Sequence, residues 1–284
     1  MDDDFRKVQD VLSKDKPVMI GRLAAGTESI VTGNIFTNQP LSREIIQLHS
    51  FVAGIHTTSM NSVKDYAEEY MGAIKSSDLL GVWKGPKYIG IKSIYDAINK
   101  EHPDVRKIDA RSIEPYYFMD KEDYSFNKII KSKRLLIVSS HLESMKQQKG
   151  KLDKLFKKPI FENNELEFVK PPITLAGNHN DIDWREYFRR LKNDVSQVSD
   201  KIDLALVSCG GYGMPLCKFI KDELRKSCIY VGGALQLFFG IKGGRWDAMN
   251  NINKFYNKYW IRPVQKDIPK NFRMWEKVEG SSYW

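Results

Sequence analysis

Residues 202–246 read IDLALVSCGGYGMPLCKFIKDELRKSCIYVGGALQLFFGIKGGRW. Twice in that stretch an apolar run ends in glycine. The run 202–208 opens into Gly210, Gly211, Tyr212 and Gly213, and the run 228–231 opens into Gly232 and Gly233. Glycine lets the backbone turn sharply and come close to a ligand. Bare N–H groups at the helix starts that follow attract phosphate. Gln236, Lys242 and Arg245 come next and add an amide and two cations. Together these residues fit a phosphate-bearing ligand, either a nucleotide or a phosphorylated sugar. They do not make a dinucleotide fingerprint. Leu216 stands in the third glycine's place, and Gly233 stands where a ribose-binding acid belongs, about twenty positions on. The chain has neither a Walker loop nor a Gly-x-Ser-x-Gly elbow.

Three other sets carry polar side chains at the end of an apolar run. In the first, Gly21 and Arg22 lead through small residues to Gly26 and Glu28. That set allows close ligand approach; the plain alternative is a tight turn with Glu28 in the first turn of a helix. The second is Ser139, Ser140, His141, Glu143, Ser144 and Gln147, after the strongest apolar run. His141 there is a general acid or base, a phosphate contact, or a solvated neighbour of a capping serine. The third is Asn178, His179, Asp181, Asp183 and Trp184. Two carboxylates and a histidine can bind a divalent cation or act as a base, but one aspartate is explained by capping alone.

The elements that must position these residues alternate. The apolar runs 18–20, 79–83, 134–139, 166–169, 173–176, 202–208 and 228–231 read as strands. Amphipathic stretches at 41–52, 59–74, 89–99, 142–156 and 184–195 read as helices, as does a stretch ending near 225. Ser42 stands near the start of the first, and Asp181 or Asp183 caps 184–195. The alternation predicts an α/β class with a parallel sheet. No repeat, low-complexity tract or linker divides the chain, so one domain is expected over 1–284, with 255–284 as an aromatic tail wrapping it.

Bulk properties narrow the classes. The chain has 284 residues, 42% of them hydrophobic, which allows a sizeable core. No apolar run approaches the ~20 residues of a membrane span, and the acidic start MDDDFRKVQDVL lacks a signal-peptide pattern. A cytoplasmic protein with at most peripheral membrane contact is expected. Three cysteines, Cys209, Cys217 and Cys228, do not make a disulfide framework and read as core packing. The formal charge of +9 suits phosphorylated partners. The lysines from Lys146 to Lys158 read as a solvated helix face, and no nucleic-acid motif accompanies them.

The ordered series GR…E, DLALVSCGGYGMPL, IYVGGALQLFFGIKGGRWD, WIRP and VEGSSYW, with ESMKQQ…LF, ITLAGN and DWREYFRRL between, resembles a family of uncharacterised proteins from polysaccharide-biosynthesis clusters. The likeness runs from about Pro17 to the end. More distantly, the plan resembles the glycosyltransferase-D fold. There a GRFGDGE-type motif supplies an Asp-x-Glu metal site, and a late strand–loop–helix–strand unit completes the sugar-nucleotide pocket. In residues 21–28 of this chain, GRLAAGTE, alanine or glycine stands in the aspartate's place, so Arg22 and Glu28 alone carry over.

The resemblance implies a Rossmann-like parallel sheet flanked by helices. It also implies a glycosyltransferase that takes a nucleotide-diphosphate sugar to a glycan or lipid-linked acceptor. Glu28, Asp183 or His141 would act as base, and Mn²⁺ or Mg²⁺ would sit on Glu28 with Asp183. Two rivals remain: a non-catalytic nucleotide- or glycan-binding protein, and another transferase, such as a methyltransferase, on the same scaffold.

Overall fold

Seven short strands make one sheet in which every neighbouring pair is parallel. They are β1 (Met19–Arg22), β2 (Leu79–Val82), β3 (Lys107–Asp109), β4 (Arg134–Ser139), β5 (Glu165–Val169), β6 (Leu204–Ser208) and β7 (Ser227–Tyr230). Their order is β3-β2-β1-β7-β6-β4-β5. The computed structural model describes residues 2–85, 90–117, 119 and 126–269. A parallel sheet is covered on both faces, so its strands are apolar throughout. Alternate residues of one strand therefore enter different layers. Leu135, Ile137, Leu204 and Leu206 join one cluster, and Leu136, Val138, Ala205 and Val207 join the other.

The helices are α1 (Asp2–Leu12), α2 (Thr27–Phe36), α3 (Arg43–Ala53), α4 (Met60–Ser76), α5 (Lys92–Glu101), α6 (Asn127–Ile130), α7 (Leu142–Gln148), α8 (Trp184–Ser196), α9 (Gly213–Asp222), α10 (Leu235–Phe238), α11 (Gly244–Asp247) and α12 (Asn250–Asn253). The first layer takes side chains of α1, α6, α7, α10, α11 and α12. The second takes those of α4, α5, α8 and α9. Helix α8 shows why: Trp184, Phe188, Leu191 and Val195 recur every three or four residues and are buried together. No helix among the described residues is long and apolar enough to cross a membrane.

The α/β class and the parallel sheet hold, two local readings change, and one strand had not been read. Residues 173–176 form no strand. Pro171 and Pro172 cannot donate to a ladder, Ala176 is left-handed (φ 53°), and its N–H bonds the Phe51 carbonyl at 2.8 Å instead. The helix read over 142–156 stops at Gln148 and continues as a 3-10 turn over Lys149–Lys154, which contains Gly150. The three-residue strand β3 carries one apolar side chain, Ile108, too little pattern to read.

All three cysteines are free and buried, and the Cys228 thiol donates to the Cys217 carbonyl at 3.2 Å. Of the tail, residues 255–269 are described. Trp260 packs edge-on against Phe156 at 5.4 Å and Phe255 packs against the same ring at 5.8 Å. The buried Asp267 accepts hydrogen bonds from the Glu143 and Ser144 backbone N–H groups at 3.2 and 2.7 Å. Residues 270–284 lie outside the described residues.

Candidate active site

The sheet opens where the chain leaves neighbouring strands toward opposite faces. It leaves β1 for α2 in one layer and β7 for α10 in the other. It leaves β6 for α9 in one layer and β4 for α7 in the other. A cavity of about 650 Å³ spans both crevices at the carboxyl edge, a size that suits a small-molecule ligand.

One wall is the start of α2. Gly26 is its N-cap, with no side chain closing the end, and Glu28 lies in the first turn. Glu28 lines the cavity and is 9% exposed. It has no ion pair among the described residues. The Thr27 hydroxyl donates to its Oε2 at 3.5 Å, and the Thr27 oxygen is 3.1 Å from Nδ1 of His49. Burial raises the Glu28 carboxyl above the ordinary glutamate range, against the weaker pull of its own backbone N–H and of Thr27. Burial also pulls the His49 imidazole down to about 3, so it stays neutral. Its ring lies 4.7 Å from that of Tyr66, and its Nε2 has no partner among the described residues. His49 escaped sequence reading: a lone histidine inside an amphipathic helix carries no signal.

A second wall is cationic and largely neutralised. Arg22 ends β1, pairs with the buried Glu114 at 2.7 Å and donates to the Val231 carbonyl. Tyr116 donates to the same glutamate. The Arg22 guanidinium lies 4.6 Å from the centre of the Trp83 ring, and Arg111 lies 5.6 Å from it. Trp83 is held by its ring N–H on the Leu23 carbonyl at 2.7 Å. Trp83, Arg111, Glu114, Tyr116 and Tyr117 all line the cavity, and none was a sequence candidate. The available signal was Trp83, at the end of the strand read over 79–83.

The glycine loops form the floor. Gly210 and Gly232 have φ of 54° and 68°, conformations that a side chain would strain. Gly210, Gly232, Gly233 and Tyr212 line the cavity. Tyr230 donates to the Gly210 carbonyl and Tyr66 to the Gly211 carbonyl, each at 2.9 Å, so the first loop is tied from two sides. Gly21, Gly211 and Gly213 are not among the lining residues. A β-carbon there would meet Ser77, Ile55 and the Tyr230 ring at 2.3, 2.4 and 2.1 Å, so close packing explains them.

Of the remaining sequence candidates, His141, Gln236 and Arg245 line the cavity. His141 is buried at the N-cap of α7, with its backbone N–H on the Ser139 hydroxyl at 3.2 Å. Asp267 already occupies the N–H groups of the next turn, so that helix start is satisfied by the chain itself. Gln236 donates to the carbonyls of Ile241 and Lys242, each at 3.3 Å. Lys242 lies away from the cavity, its ammonium 5.1 Å from the Tyr256 ring. Arg245 is exposed, and the neighbouring Asp247 pairs with Arg262 at 2.5 Å.

Asp183 is also outside the cavity. It is the N-cap of α8: its carboxylate accepts from Thr58 N–H and hydroxyl at 3.1 and 2.8 Å, from Ser62 at 2.6 Å, and from Arg185 N–H and Nε at 3.1 and 2.8 Å. Burial raises its proton affinity, but the bonds from Arg185, Ser62 and Thr58 outweigh that and hold it well below the ordinary aspartate range. A carboxylate so fully bonded has no lone pair left for substrate or metal.

Among the described residues the donor set does not fit a resident Mg²⁺ or Mn²⁺, which needs several oxygen ligands. Glu28 is buried with its carboxyl raised, Glu114 is bonded by Arg22 and Tyr116, and Asp183 is elsewhere. His56, His179 and Asp181 do lie within 4.8 Å of one another. The two imidazoles stack face to face at 3.8 Å and 2°, so their nitrogen lone pairs run parallel and do not converge. Nδ1 of His179 already accepts the Asp181 N–H at 3.0 Å.

The model of the GT-D fold-like domain matches residues 3–238, which include every strand and both glycine loops. No curated protein and no solved structure matches the chain. With an all-parallel seven-stranded sheet, a cavity at its carboxyl edge and a family match over most of its length, the chain belongs to the GT-D-like family.

Proposed function

We propose that this protein is a glycosyltransferase. Its donor is a nucleotide-diphosphate sugar and its acceptor a hydroxyl of a glycan or lipid-linked sugar, in the synthesis of a surface polysaccharide or related glycan. One observation carries the reading: Glu28, a buried carboxyl without a cationic partner among the described residues, lines a cavity that spans both crevices of a GT-D-like sheet. The reaction needs a base for the acceptor proton and positive potential for the leaving diphosphate.

Glu28 supplies the base. Burial moves its proton affinity toward working pH, where a general base is most effective. The acceptor O–H proton passes to the Glu28 carboxylate. The acceptor oxygen then bonds the anomeric carbon, and the bond from that carbon to the diphosphate oxygen breaks with its electron pair on the diphosphate. The growing charge is met by Arg111 and Arg245 and by N–H groups of the glycine loops. Arg22, neutralised by Glu114, orients more than it attracts. His141 is the second base in reach of the cavity.

The test is turnover of a panel of nucleotide-diphosphate sugars, including slow hydrolysis without acceptor, by the native chain and by Glu28→Gln. Release of nucleoside diphosphate by the native chain and its loss in a folded Glu28→Gln variant is the expected result. No turnover of any member, with binding retained, would favour a non-catalytic nucleotide-binding protein.

A further inference from the structure

Much of the net charge of this chain falls in two segments. Residues 146–158 and 254–258 carry eight lysines against one acid, Asp153, while the whole chain has a formal charge of +9. The fold joins the two segments. Asn257 donates to the carbonyls of Lys154 and Leu155, each at 3.1 Å, and Phe255 packs on Phe156 at 5.8 Å. Lys154, Lys157, Lys158, Lys254 and Lys258 are exposed, as are Lys146, which pairs with Glu143 at 3.5 Å, and Lys149, which lies with Glu165, Glu167 and Asp200 at the opposite edge of the sheet. The ammonium groups of Lys154 and Lys258 stand over one ring, Tyr259, at 5.7 and 5.3 Å, and that of Lys254 stands over Phe255 at 5.1 Å. Half-buried aromatic rings thus lie directly beneath a layer of ammonium groups. Reading these lysines from sequence as a solvated helix face missed the contribution of 254–258.

We infer that this surface docks on an anionic lipid bilayer. A cluster of four to eight basic side chains is the pattern that anionic headgroups attract. The lysine stems lie over the aromatic rings and hold their ammonium groups outward, at the headgroup level. A nucleic acid fits less well. Every cation here is lysine, with no arginine fork for bidentate contacts, and the rings are covered by ammonium groups, so they offer no stacking platform. The surface also continues to the cavity. Asn251, one turn before Lys254, lines the cavity, and Lys158 adjoins Pro115, next to the cavity residues Tyr116 and Tyr117. Docking on this flank brings the cavity mouth to the bilayer edge. The inference rests on charge and packing and stands whether or not the chain transfers sugar.

The experiment is co-sedimentation of the full chain with vesicles of phosphatidylcholine alone and of phosphatidylcholine with phosphatidylglycerol. The chain is expected to bind the mixed vesicles, to ignore the neutral ones, and to be released at ~1 M salt, where charge attraction is screened within about 3 Å. Each lysine near an anionic surface strengthens binding about fivefold. Lys154→Glu/Lys157→Glu/Lys258→Glu is therefore expected to lose more than tenfold. Lys64→Glu/Lys107→Glu/Lys226→Glu, which changes as many charges outside the two segments, is expected to lose little. Circular dichroism checks that both variants fold. Failure to bind anionic vesicles, or equal losses in the two variants, would overturn the inference. So would tighter binding of a single-stranded RNA than of the mixed vesicles, lost in the same first variant.

Discussion

The starts of α2 and α8 each carry a carboxylate in or beside the first turn, and the two meet opposite fates. At α8, Asp183 caps the helix and collects five hydrogen bonds from Thr58, Ser62 and Arg185. At α2, a glycine takes the cap and Glu28 is left inside a cavity, bonded by its own backbone N–H and by one long bond from the Thr27 hydroxyl. Surroundings push the first carboxyl down and the second up. The difference separates a carboxylate tied into the fold from a buried one without such ties. Among the cations lining the cavity, Arg22 is likewise consumed by Glu114.

The largest expected effect sharpens this contrast at Glu28. Glu28→Gln keeps the shape and removes the proposed base, so turnover of the nucleotide sugar is expected to fall by about 10²–10⁴-fold, with the circular dichroism spectrum unchanged. Asp183→Asn is expected to act the other way. Weakening a cap and its bonds to Thr58, Ser62 and Arg185 costs about 2–3 kcal/mol of stability by urea unfolding, while turnover per folded molecule stays within about twofold of native, a free-energy change below RT. A tenfold loss of turnover in folded Asp183→Asn would break the comparison.

The smallest effect is a pair of opposite pH slopes. Asp183 is held below the ordinary aspartate value of 3.8. Its stabilisation is complete above that value and is lost as pH falls through the lower folded value. Glu28 is held above the ordinary glutamate value of 4.5. Between that value and its folded value the native chain binds more protons than the unfolded one, so stability falls as pH rises through the window. Unfolding measured from about pH 3 to pH 8 is therefore expected to show Glu28→Gln gaining on the native chain as pH rises past 4.5. The deficit of Asp183→Asn is expected to shrink below 3.8. Slopes of the same sign for both variants would contradict the account.

What the sequence disclosed follows from how local each signal is. A strand ending in glycine is written in a few adjacent residues, so Gly210 and Gly232 were legible, as was the α/β class built on the apolar runs. Capping is also local, and the cap of α8 was readable as Asp181 or Asp183, of which the fold uses Asp183. The sequence does not say whether a carboxylate is satisfied, because Thr58 and Ser62 come from more than a hundred residues away. The wall of Trp83, Arg111 and Glu114 was hidden for a similar reason. Two of these residues follow β3, whose three residues KID have no apolar run and exist as a strand only through pairing with β2. The glycines at 21, 211 and 213 read like those at 210 and 232 because a packing glycine and a cavity-lining glycine look alike in sequence. Only the Ser77, Ile55 and Tyr230 side chains against them tell the two apart.

The most direct test of the central claim is a crystal structure of the chain with a bound nucleoside diphosphate. The diphosphate is expected in the carboxyl-edge cavity, over the loops at Gly210 and Gly232–Gly233, within reach of Arg111 or Arg245, with Glu28 facing the space left for the sugar. A diphosphate at the opposite edge of the sheet, in the depression lined by Arg134, Lys149 and Lys201, and touching neither glycine loop, would contradict it.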